Sequence, residues 1–148
     1  MRSILLIFLC LPPIVYACGE PDVSARGRVY CMHNGKKHPM DSIVILMEED
    51  LGVDHWLNPD DFLGSNRTLP KNGGRYFVQG TEKEWGIFQS GELEPYLVVR
   101  TDCNSIKEPW MANCQDETKK YYLPGCEKSI TNVCHVKRFD IDVCKKNN

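Results

Sequence analysis

Polar and apolar residues alternate one by one in segment after segment of this chain, the period of a β-strand half-buried against a core. Between Glu94 and Thr101, Tyr96, Val98 and Arg100 fall on one side while Leu97, Val99 and Thr101 fall on the other. From His135 to Cys144 the spacing predicts a closing strand with Phe139, Ile141 and Val143 inward and Arg138, Asp140 and Asp142 outward. Arg26 to Met32 repeats the pattern, setting Val29 and Cys31 against Arg28 and Tyr30. Arg75 to Gln79 sets Phe77 against Tyr76 and Val78, and Lys119 to Leu123 is a further short strand stopped by Pro124-Gly125. Ser42 to Met47 is β-branched and apolar, as expected of a strand covered on both faces.

Between these runs lie turn residues. Lys71-Asn72-Gly73-Gly74 is a turn, because Asn-Gly and Gly-Gly readily take positive φ. Asp54 to Leu63, broken by Pro59, reads as an irregular connection or a short edge strand. Thr81 to Ser90 is the one stretch with room for a helical turn. No long amphipathic helix and no internal repeat is visible. Six or seven short strands with frequent turns predict an all-β, two-sheet sandwich whose edges and end loops carry the function.

Residues 1–17 read as a signal peptide: Arg2, an apolar run from Ile4 to Leu11, Pro12-Pro13, then Val15-Tyr16-Ala17 before the cut. The run is about half of the roughly 20 residues that a membrane span needs. Residues 18–148 are then one secreted domain, with localisation outside the cell. Eight cysteines occur, of which Cys10 leaves with the leader. Cys31, Cys103, Cys114, Cys126, Cys134 and Cys144 are the disulfide candidates, and Cys18 is the odd one; sequence does not choose among the pairings. Spacings of 12, 8 and 10 residues after Cys114, with no Cys-x-x-Cys, do not resemble a zinc site. Asn66-Arg67-Thr68 is an N-glycosylation sequon, expected on an exposed loop between Gly64 and Pro70.

No catalytic constellation is present. Gly-x-Ser-x-Gly is missing. His33 and His38 are expected as turn histidines around Asn34-Gly35, and Cys134-His135 point to opposite faces of a strand. No cofactor and no metal are expected. The acids from Glu48 to Asp61 offer hard oxygens but lack a calcium-loop spacing. A net charge of −2 argues against nucleic acid as a partner. The charge is unevenly spread: seven acids and no Lys or Arg lie between Asp41 and Gly64, whereas the region after Cys103 is rich in lysine. Trp56 or Trp85 is expected in the core. Trp110, beside Pro109 and Met111, is either core or an apolar tip at a binding surface.

Gly27-Arg28-Val29-Tyr30-Cys31, Pro39 and Val44-Ile45-Leu46-Met47-Glu48-Glu49-Asp50 resemble the opening of the nematode transthyretin-like family. Asp60-Asp61-Phe62-Leu63, Gly74-Arg75-Tyr76-Phe77, Gly80-Thr81-Glu82-Lys83-Glu84, Glu94-Pro95-Tyr96-Leu97 and Asp102-Cys103-Asn104 are similar to later elements of that family, in its order. The resemblance covers Gly27 to about Pro124. It implies a transthyretin-like, immunoglobulin-like β-sandwich, here with a disulfide-stapled C-terminal region added by Cys126, Cys134 and Cys144. It does not imply hydrolase activity, since Val143-Cys144-Lys145-Lys146 stands where the related hydrolases carry Tyr-Arg-Gly-Ser. Some members of the family bridge phosphatidylserine on dying cells to a receptor on engulfing cells. The corresponding expectation is a secreted recognition protein, not an enzyme. Its partners are an anionic membrane surface, met by Lys119, Lys120, Lys145, Lys146 and Trp110, and an extracellular receptor. The alternative is a secreted carrier of a small apolar ligand, such as a lipid or hormone-like molecule.

Overall fold

The structure, a computed structural model, describes residues 22–49, 60–81, 94–103, 109–111, 117–126 and 133–145. These form an all-β fold of two sheets. Among the described residues the helical structure is confined to 3-10 turns, Pro70–Asn72 and Pro109–Met111 among them, and no helix is long and apolar enough to cross a membrane. Residues 1–17, read above as a signal peptide, Trp56, Trp85 and most of the 81–90 stretch lie outside the described residues.

The first sheet is organised around one long strand, β1 (Val23–His33). Along one edge it pairs antiparallel with β5 (Arg75–Gly80) through its first half and with β2 (Lys36–Pro39) through its second. The change of partner falls at Val29, whose N–H donates to the Gly74 carbonyl (2.8 Å) and whose carbonyl accepts from the Met40 N–H (3.0 Å). Gly74 sits at φ +67°, and a Cβ there would fall onto the Val29 carbonyl, so the junction requires glycine. Asn34 and Gly35, both at positive φ, close the β1–β2 hairpin.

The other edge of β1 takes the tail. Strands β8 (Cys134–Val136) and β9 (Ile141–Asp142) run parallel to it, one beside each half. A single strand from His135 to Cys144 was the expectation; the ladder instead breaks over 137–140. Side chains of the first sheet take the carbonyls there: Arg26 Nε donates to Lys137 O (2.9 Å) and the Tyr76 hydroxyl to Phe139 O (2.7 Å). Ile141 and Val143 are buried as expected, and Phe139 is half-buried.

The second sheet is antiparallel, in the order β4 (Asp61–Thr68), β3 (Asp41–Glu48), β6 (Pro95–Asp102), β7 (Thr118–Tyr122). Its inner face supplies Val44, Leu46, Leu97 and Val99 to the core, against Val23, Ala25, Val29, Tyr76 and Val78 of the first sheet. Each such aliphatic contributes roughly 1.5–3 kcal/mol when fully buried. The expectation that β3 is covered on both faces does not hold. Ile43 is 42% exposed, and Ile45 and Met47 are only half-buried, because an antiparallel sheet with one face in the core leaves the other to solvent. At the end of β4, Thr68 is fully buried and its hydroxyl donates to the Met40 carbonyl at 2.7 Å. Thr68→Val keeps the shape and deletes that bond; a loss of about 1.5 kcal/mol is expected in urea unfolding.

Disulfides lock the tail in place. Cys31–Cys144 joins the end of β1 to the residue after Val143 (Cα–Cα 5.0 Å), and Cys126–Cys134 anchors the start of β8 (Cα–Cα 5.5 Å). Cys103 is also disulfide-bonded, and Cys114 lies outside the described residues. Such bonds form and persist in oxidising compartments.

Candidate functional site

The outer face of the first sheet carries three arginines that no acid among the described residues pairs with. Val29 and Cys31 point inward, so the strand period turns Arg26, Arg28 and Tyr30 outward. On β5, Tyr76 and Val78 point inward and Arg75 and Phe77 outward. Register then places Arg28 directly opposite Arg75 and Arg26 directly opposite Phe77. Phe77 is 50% exposed. Arg28 and Arg75 are both exposed, and among the described residues neither guanidinium makes a hydrogen bond or an ion pair. Like charges directly opposed across a ladder destabilise it by about 0.2–1 kcal/mol. Beside them, the Lys37 ammonium lies 4.4 Å from the centre of the Tyr30 ring. The nearby tail acids are engaged: Asp140 by Arg138 (3.0 Å) and Lys37 (3.9 Å), Asp142 by the N–H groups of Met32 and Cys144.

The outer face of the second sheet has a different chemistry. Its rows, read across β4, β3, β6 and β7, are Arg67-Ile43-Arg100-Thr118, Ser65-Ile45-Val98-Lys120 and Phe62-Met47-Tyr96-Tyr122. Phe62 is 63% and Tyr122 49% exposed. Cations on this face are largely compensated. Arg67 makes a two-point contact with Asp41 (2.9 and 2.8 Å). Lys120 pairs with Glu49 at 2.9 Å and sits 3.7 Å over the Tyr96 ring, while the Tyr122 hydroxyl donates to Glu49 at 2.8 Å. The Lys120 hydrogen bond holds the Glu49 carboxyl below its ordinary value; burial opposes it, and the Tyr122 hydrogen bond adds a smaller pull down. The Tyr96 hydroxyl donates to Asp60 and titrates well above its ordinary range, chiefly because it is desolvated and then because of Asp60.

The residues singled out from sequence are not gathered in one place. Lys119 and Lys120 are neighbours on β7 and point to opposite faces. Lys119 Nζ donates to the Val143 carbonyl (2.9 Å) and pairs with Glu117 (2.8 Å). Lys145 is exposed beyond β9, and Lys146 lies outside the described residues. Trp110 is half-buried; its ring stacks on His33 (4.2 Å, 5° between planes) and lies 4.8 Å from His38. The two histidines therefore belong to the β1–β2 hairpin rather than to a turn, since Asn34-Gly35 alone makes the reversal. Asn66 is exposed but sits in edge strand β4, opposite Val44, where a loop was expected. A polar strand with turn-forming residues is tolerated there because an edge pairs on one side only. Cys31, Cys144 and Asp142 come within 4.8 Å of one another, yet both sulfurs are spent in the disulfide and offer no thiolate to a metal. The arginine row was only half legible: outward Arg26 and Arg28 follow from alternation, whereas Arg75 joins them only through register.

No family model and no curated protein matches this chain. Among solved structures, the crystal structure of a 9R-lipoxygenase from Cyanothece PCC8801 is similar over 80% of this chain, at 15% identity and a TM-score of 0.40. The chain spans 16% of that protein's length.

Proposed function

We propose that the protein is a secreted, extracellular recognition module, not an enzyme, that attaches to anionic cell surfaces bearing phosphatidylserine and offers its opposite face to a protein receptor on an engulfing cell. The observation that carries this reading is the uncompensated Arg26, Arg28 and Arg75 beside exposed Phe77 on one outer sheet face. Near an anionic bilayer each cation contributes about 1 kcal/mol, and an exposed aromatic adds apolar contact at the headgroup level. The two outer faces of a sandwich point away from each other. One can therefore lie on lipid while the face carrying Ile43, Phe62 and Tyr122 stays open to a protein, as exposed apolar patches commonly do. Secretion is supported by the disulfides and by the leader read in residues 1–17. The resemblance to transthyretin-like proteins points the same way.

The test is sedimentation of the oxidised protein with phosphatidylcholine vesicles, with and without phosphatidylserine. Binding is expected only with phosphatidylserine, and it should weaken as salt rises, because the contact is electrostatic. Equal binding to both vesicles, or none to either at low salt, would reject the proposal.

A further inference from the structure

We infer that Arg28 and Arg75 form one discrete oxyanion site, in which a single phosphate group is held between two guanidinium forks. The inference deepens the reading above and rests on it for the source of the anion, a lipid headgroup. Register makes the two residues direct cross-strand neighbours on the same face, where Cβ atoms stand about 4.5–5.5 Å apart. Each guanidinium carries five N–H donors in a planar fork suited to two-point contact with phosphate. Among the described residues none of these donors is used. Several other cations on the surface are given acids, as in Arg67–Asp41, Lys119–Glu117 and Lys120–Glu49. Here the chain opposes two like charges across a ladder and supplies none.

An anion between the forks turns that repulsion into two attractions. The site is also framed. Arg26, tied through Nε to the Lys137 carbonyl, extends the positive field along β1. Phe77, opposite Arg26, gives the glycerol and acyl portion of a lipid an apolar neighbour. A phosphodiester with an apolar tail therefore fits better than a bare anion, and inorganic phosphate should bind weakly at the same two residues.

The experiment compares the full oxidised chain with Arg28→Gln, Arg75→Gln and, as a control, Lys36→Gln. Lys36 is exposed in the same sheet, and register puts it on the other face. Two measurements are made on each: side-chain NMR shifts on adding inorganic phosphate at constant ionic strength, and affinity for phosphatidylserine vesicles. Phosphate should shift the Nε–H signals of Arg28 and Arg75, and each arginine variant should lose about tenfold or more in vesicle affinity while Lys36→Gln keeps it. Both arginine variants should melt no lower than the parent at low salt, since each removes a like-charge contact; that separates lost binding from lost fold. Equal small losses in all three variants would overturn the site and leave only diffuse surface charge. Phosphate binding through both arginines with vesicles ignored would keep the site and sink the lipid reading.

Discussion

Replacing both Cys31 and Cys144 with serine is expected to lower stability by about 5 kcal/mol. The bond spans 113 residues, so its loss restores conformational freedom to most of the unfolded chain. The Cys126–Cys134 bridge spans 8, and on the same reasoning its loss costs about 2.5 kcal/mol. The longer bridge also fastens the tail. Without it, this segment is held to β1 by a two-residue ladder, the Val143-to-Tyr30 hydrogen bond and the hydrogen bond from the Met32 N–H to Asp142. Urea unfolding of the double variant measures the loss, and hydrogen exchange should show the 141–143 amides opening first. A change below about 1 kcal/mol would mean that the tail is secured by packing, and that the bridge contributes little.

The second large effect concerns a residue with no side chain. Gly27 lies where β1 passes the break between β8 and β9, and a Cβ there would fall onto the Phe139 carbonyl, with the Tyr76 ring at 3.1 Å. Backbone cannot yield as a flexible side chain would. Gly27→Ala must push the tail outward and strain two hydrogen bonds, Phe139 N–H to Arg26 O (2.9 Å) and the Tyr76 hydroxyl to Phe139 O. About 3 kcal/mol is expected, the sum of overpacking and the weakened bonds. In a chain of this size that is a fall in melting temperature of about 10 °C. Tyr76→Phe deletes only one of the two bonds and should cost about 1 kcal/mol. If Gly27→Ala cost no more than Tyr76→Phe, the close approach of the tail to β1 would be wrong.

Strands with one face in the core were legible from residues alone. Alternation located β1, β5, β6 and β7 to within a few residues, because burial of Val29, Tyr76, Leu97 and their partners leaves a period-two mark. Where both faces carry apolar residues the mark is ambiguous, and β3 was read as buried on both sides although Ile43 faces solvent. β4 left almost no mark. Among its polar residues only Thr68 is buried, and Gly64-Ser65-Asn66 has the composition of a turn. The tail showed its inward residues but not its neighbour, since parallel pairing with β1 is a contact between distant segments. The candidate site suffers from the same limit. Trp110 was weighed as core or tip, and it is neither alone: it packs against the core while stacking on the hairpin histidines. Lysines near one another in sequence were taken as a patch, yet Lys119 and Lys120 alternate across the sheet and each has its own acid. The arginines that do converge are separated in sequence by the hairpin and two strands of the other sheet.

The placement of β1 sets a schedule for biosynthesis. Ser24 and His135 are neighbours across the sheet but stand 111 residues apart in the chain. As the polypeptide emerges, β1 leaves the ribosome early and its tail-side edge stays bare until the tail arrives. Distant pairing of this kind is slow, and a bare edge during the wait is prone to clumping with other chains. The half of the sandwich built on β1 is therefore completed late, and its sealing bond to Cys144 later still. Production in a cell should depend on chaperones and thiol-oxidising enzymes far more than the small size of the domain suggests.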